Sequence, residues 1–133
     1  MPRHIASETV ILIAEDEVTI RNLVGAMLTK EGYGLLSAAN GREALALCQK
    51  FTDPLHLLLT NVKMPLMDGI TLMQEVRKLR PDIKTVVMSG EMDEAILGGN
   101  RPDAFLRKPF VPPTLLRIIQ QVLDGEQPEL VEI

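Results

Sequence analysis

Five short apolar runs, each followed by a stretch with helical spacing, constrain this chain more than any other feature. Val10–Ala14 reads as a strand buried on both faces, the pattern of a central parallel strand. Residues 35–38, 55–60, 85–88 and 104–106 read as four more strands. Ile20, Leu23, Val24, Met27 and Leu28 recur on one face of a first helix, which Gly32 stops. Asn40-Gly41 caps a second helix carrying Ala44, Leu47, Cys48 and Phe51, and Asp53-Pro54 ends it. A third runs from about Pro65 to Leu79, with Pro65 in the first turn and Leu72, Met73, Val76 and Leu79 inward. A short helix over residues 93–97 is cut off by Gly98-Gly99-Asn100. Pro112 or Pro113 opens a last one with Leu115, Leu116, Ile119, Val122 and Leu123. Strands alternating with helices imply a parallel sheet covered on both faces, in the α/β class. Right-handed crossovers favour the doubly wound, flavodoxin-like order 2-1-3-4-5, which brings the ends of the first and third strands together.

Composition narrows the function classes. The chain has 133 residues, 46% of them apolar, enough for one domain with a real core. Aromatics are only 3%, so that core is aliphatic. The net charge of -4 and the lack of a basic run exclude the electrostatic footprint of a nucleic-acid binder or a polybasic membrane anchor. The single Cys48 has no partner for an internal disulfide and reads as a core thiol. Neither a signal peptide nor a membrane span is read from the sequence, which points to a cytoplasmic protein. The expected layout is an N-terminal extension over 1–9, one domain over 10–124 and an acidic, proline-containing tail or linker over 125–133. His4 and His56 have no partner at metal-ligand spacing and read as incidental.

On this topology the strand ends gather polar groups along one rim. Glu15 and Asp16 follow the first strand and Asn61 the third, while Ser89 and Lys108 end the fourth and fifth. Taken singly, each reads as a solvated or capping residue. Together, oxygen ligands on adjacent strand ends suit a hard cation such as Mg2+. A hydroxyl and an ammonium opposite suit a phosphoryl group. With the motifs Ala14-Glu15-Asp16-Glu17, Val62-Lys63-Met64-Pro65-Leu66-Met67-Asp68-Gly69, Val87-Met88-Ser89-Gly90 and Leu106-Arg107-Lys108-Pro109-Phe110, the chain resembles the chemotaxis-regulator-like receiver domain of two-component response regulators. The resemblance covers about residues 10–123.

That resemblance implies a phosphoacceptor aspartate at position 61, fed by a sensor histidine kinase or a phosphotransfer protein. It implies Mg2+ held by Glu15, Asp16, residue 61 and the backbone carbonyl of Lys63. Ser89 would bond a phosphoryl oxygen, and Lys108 would pair with phosphate or with the acidic site. Phe105 matches the family's switch aromatic, with plain core packing as its alternative. Asp68-Gly69 shapes the loop or simply starts the helix, and neither is assigned a ligand role.

One residue departs from the pattern. Position 61 is Asn, whose neutral amide oxygen lacks the charge of an attacking carboxylate. It still offers a carbonyl to a cation, but Mg2+ binding weakens and Lys108 loses a charge-assisted partner. The chain as written is expected not to form an acyl phosphate. Asn61 is either natural, making a phosphorylation-independent pseudo-receiver, or a substitution in a domain whose remaining pocket is built for phosphate. The stretch between Ser89 and Lys108 is short for the family, and Pro112-Pro113 stiffens the last helix's entry, which leaves the usual dimer or output face altered. No output domain is read from these residues. A Mg2+-dependent phosphatase is the enzyme alternative, disfavoured because Asn61-Val62-Lys63 supplies neither a nucleophilic carboxylate nor a second acid two residues on. A purely structural interaction domain is the third reading. It predicts no Mg2+ affinity.

Overall fold

The computed structural model describes residues 9–90 and 99–126. The strands are β1 (Val10–Ala14), β2 (Gly34–Ala38), β3 (Leu57–Asn61), β4 (Lys84–Ser89) and β5 (Ala104–Arg107). The helices are α1 (Val18–Lys30), α2 (Gly41–Lys50), α3 (Gly69–Leu79) and α4 (Pro112–Leu123). The sheet is parallel throughout, in the order β2-β1-β3-β4-β5. This is the flavodoxin-like order expected from the sequence. The short helix expected over 93–97 lies outside the described residues.

Strand side chains alternate between faces, so each central strand feeds two apolar layers. Ile11, Ile13, Leu57, Leu59, Val86, Met88, Ala104 and Leu106 pack with α1 and α4. Leu12, Ala14, Leu58, Val87 and Phe105 pack with α2 and α3. Both layers are mainly aliphatic, as the composition requires. Burying one such Leu or Ile side chain contributes roughly 1.5–3 kcal/mol. Cys48 is a buried member of the α2 layer, the core thiol expected.

Local chemistry sets the element ends. Asn40 caps α2 through its side chain, which accepts the Glu43 N–H at 2.8 Å, and Glu43 reaches back to the Ala39 N–H. Gly32 adopts φ 96° just past α1, a left-handed turn that glycine makes at least cost. Arg80, just past α3, donates to the carbonyls of Cys48, Phe51 and Asp53, tying the end of α2 to the end of α3.

Two elements differ from expectation by more than a residue. α3 does not start at Pro65: residues 65–68 form a turn, with the Met67 N–H on the Pro65 carbonyl and Leu66 at φ 72°. The helix begins at Gly69 because Asp68 caps it, accepting the Thr71 N–H at 2.8 Å. A proline tolerated in a first helical turn is equally at home in a turn before it. β3 starts later, at Leu57, and runs through Asn61, which stands in register with Met88. Asn61 is therefore fixed by the sheet and not carried on a loop.

Candidate functional site at the strand ends

The rim residues are held by backbone pairing that continues past the strands. The Glu15 N–H reaches the Ala38 carbonyl at 3.1 Å, Val62 reaches Met88 at 3.1 Å, and Lys108 reaches Ser89 at 2.8 Å. Glu15, Asn61, Ser89 and Lys108 thus lie along one edge, with Asp16 next to Glu15. All the side chains read from sequence as a cluster stand at this edge.

Glu15 is fully buried, at 0% exposure. A buried carboxylate must be paired, and both of its oxygens are. Oε1 accepts from Lys108 Nζ at 2.9 Å, and Oε2 accepts the Glu17 N–H at 3.0 Å. The Glu15 backbone carbonyl accepts Arg21 Nη1 at 2.8 Å, anchoring the β1–α1 turn to the helix. Lys108 therefore takes the acidic partner of its two expected ones. Its Lys108–Pro109 peptide bond is cis.

Asn61 has different partners. Its Nδ2 donates to Asp16 Oδ1 at 3.2 Å and to the Lys63 backbone carbonyl at 3.0 Å. Two acceptors face it, so the nitrogen side of the amide must be the one presented. Asp16 and the Lys63 carbonyl are two of the groups that the sequence reading assigns to a cation. Here they converge on a nitrogen. Ser89 is buried at the end of β4. Phe105 is buried in the α2–α3 layer. Among the described residues, no group of three or more His, Cys, Asp and Glu forms a metal-binding cluster.

The corner after β3 depends on Gly69. Its N–H bonds the Val62 carbonyl at 2.8 Å. A Cβ at Gly69 would lie 2.0 Å from the Asn61 carbonyl oxygen, so only glycine lets the helix start this close to the strand end. Asp68-Gly69 is a helix start, one of the two readings drawn from sequence.

The fold and the sequence match a known family. The description "response regulator receiver domain" fits residues 11–120.

The chain belongs to the response regulator receiver family.

This receiver is 33% identical over 125 residues to the sensor kinase CckA of Brucella abortus, covering 92% of this chain and 13% of that protein. It is 36% identical over 87 residues to the transcriptional regulatory protein AruR of Pseudomonas aeruginosa, covering 63% of this chain and 35% of that protein. The receiver thus spans only a minor part of these relatives. Among solved structures, a CheY-like receiver domain protein from Methanospirillum hungatei superposes with a TM-score of 0.80 at 31% identity, covering 88% of this chain and 94% of that one. The chemotaxis protein CheY4 of Vibrio cholerae gives 0.79 at 30% identity, covering 86% and 98%. Receivers are generally signalling modules of two-component systems, interacting with sensor kinases and output domains, and they typically bind Mg2+ at the acidic pocket. Among the described residues no helix is long and apolar enough to cross a membrane.

The cation fits poorly in the arrangement seen here. Glu15 is committed to Lys108 and the Glu17 N–H, and Asn61 presents N–H groups where a hard cation needs oxygen. Sequence reasoning missed the Arg21 anchor, although an arginine in the first turns of the helix after an acidic strand end was its signal. His56, read only for metal-ligand spacing, has a structural role: its Nδ1 accepts the Val10 N–H at 3.0 Å, pinning the start of β1 beside β3.

Proposed function

We propose that this chain is a receiver module of two-component phosphorelay signalling that does not accept a phosphoryl group at position 61. The observation that carries the reading is the Asn61 side chain at the end of β3, its amide nitrogen bonded to Asp16 and to the Lys63 carbonyl. An attacking group needs an electron-rich oxygen aimed at phosphorus. An amide whose N–H groups serve neighbouring acceptors is not one. The module acts through its surfaces, with a sensor histidine kinase, a phosphotransfer protein, an output domain or a second copy as partner. It is not an enzyme, and it works in the cytoplasm as one domain over residues 10–124.

In this reading Ser89 and Lys108 keep the places of phosphate-binding groups, and Phe105 that of the switch aromatic. Lys108 is held by Glu15 instead of an acyl phosphate. The test is incubation with a small phosphodonor and Mg2+, followed by intact mass. The chain should gain no stable phosphoryl group, while Asn61→Asp should gain one. A phosphoryl group recovered on Asn61 itself would overturn the reading. Turnover of a generic phosphate ester would favour a phosphatase instead.

A further inference from the structure

We infer that the Asn61 amide nitrogen is a built-in replacement for the cation, holding the rim together without Mg2+. The inference rests on the receiver reading of this pocket and adds a physical cause for weak metal binding beyond the loss of one charge.

Two acceptors decide it. Asp16 Oδ1 and the Lys63 carbonyl oxygen both lie within hydrogen-bond reach of Asn61 Nδ2, at 3.2 and 3.0 Å. With a carboxylate at position 61, three oxygen acceptors would converge with no donor from the chain between them, leaving a cation or water to relieve that. The amide supplies two N–H donors from the same side-chain shape. Each neighbour is satisfied from within the chain, one of them by a bond to a carboxylate. The other carboxylate is already engaged, with Lys108 Nζ on one Glu15 oxygen and the Glu17 N–H on the other.

For Mg2+ to enter, the amide must turn over to present Oδ1, and both bonds are lost. Mg2+ also demands near-octahedral oxygen geometry and dehydrates reluctantly. Both bonds lie at the exposed rim, so breaking the one to a charged group weakens binding at the low end of the usual range, roughly tenfold. The amide is therefore a competitor for the site as well as a poor ligand.

This separates two accounts that otherwise look alike. If Asn61 only lacks a charge, removing its side chain cannot help, because a carbonyl ligand goes too. If the amide competes, Asn61→Ala or Asn61→Ser should bind Mg2+ better than the unaltered chain. The experiment is a Mg2+ titration of the full chain and of these variants with Asn61→Asp, followed by thermal unfolding and by side-chain amide NMR. The unaltered chain should show no gain in Tm up to about 10 mM Mg2+, and its Asn61 amide signals should stay in place. Asn61→Ala and Asn61→Ser should bind at least about tenfold more tightly, and Asn61→Asp most tightly of all. Asn61→Asp should melt below the unaltered chain without cation and regain the loss with it. Sub-millimolar binding by the unaltered chain would overturn the inference. So would Ala and Ser variants that bind no better than it while Asn61→Asp does bind, an outcome that leaves the receiver reading standing. If no variant binds, the receiver reading of the pocket fails, and the inference with it.

Discussion

Replacing Lys108 with Met tests the interior of the rim most directly. The change keeps an unbranched side chain and removes the charge, leaving Glu15 at 0% exposure with one of its two partners gone. Breaking a buried pair by removing one member costs about 3–5 kcal/mol, because the remaining charge has lost both its water and its partner. The Lys108 side chain is 19% exposed, so some solvent can reach the gap. The surviving Glu17 N–H bond also remains. Both effects favour the lower end, about 3 kcal/mol. For a chain of this length that lowers Tm by about 10 °C and leaves a domain with an ordinary margin of about 5–15 kcal/mol still folded at room temperature. Urea unfolding of Lys108→Met, Glu15→Gln and the double variant closes a cycle. The double variant should lose less than the two single losses summed, with a coupling of at least about 1 kcal/mol. A loss below about 1 kcal/mol for Lys108→Met, the size of an exposed pair, or strict additivity in the cycle would refute the reasoning.

Three other outcomes are expected. Gly69→Ala should destabilise by about 1–3 kcal/mol in urea unfolding, because its Cβ would sit 2.0 Å from the Asn61 carbonyl oxygen and backbone must shift. Leu66→Gly should raise stability by about 0.5–1 kcal/mol: Leu66 is 70% exposed at φ 72°, and relief of left-handed strain exceeds the added freedom of the unfolded chain. Tyr33 has its phenol pushed above its usual value by burial and by the nearby Glu31 and Asp124. Its folded pKa exceeds its unfolded one, so this contribution is complete below about pH 10. It is lost as pH rises from there through the folded value. A Tyr33→Phe variant should show a flatter alkaline decline in Tm than the parent.

Much of the fold was legible because parallel strands buried on both faces read as unbroken apolar runs. The runs ending at Ala14 and Thr60 placed the rim before any coordinate was needed. Asn40-Gly41 announced the second helix, and the reciprocal Glu43 contact was added by the structure. Less legible were features that depend on a single backbone turn. Pro65 suited either a turn or a helix start, and Asp68 decided between them through a contact three residues on. The residues gathered at the rim were readable, but their pairing was not. Nothing in the spacing says that Lys108 would take Glu15, or that the Asn61 amide would bridge Asp16 and Lys63. Those choices follow from burial and from lone-pair geometry, which only the assembled sheet supplies. His56 was missed for the same reason, since its acceptor role depends on β1 lying beside β3.

The missing side chain at Gly69 has a consequence for how this molecule is recognised. With α3 starting close against the carbonyl of residue 61, the backbone there has little room behind it to follow a change in front. Exchanging a nitrogen for an oxygen at that residue alters polarity while leaving the contour as it was. A partner that feels only shape would treat the two forms alike, whereas one that senses charge would tell them apart.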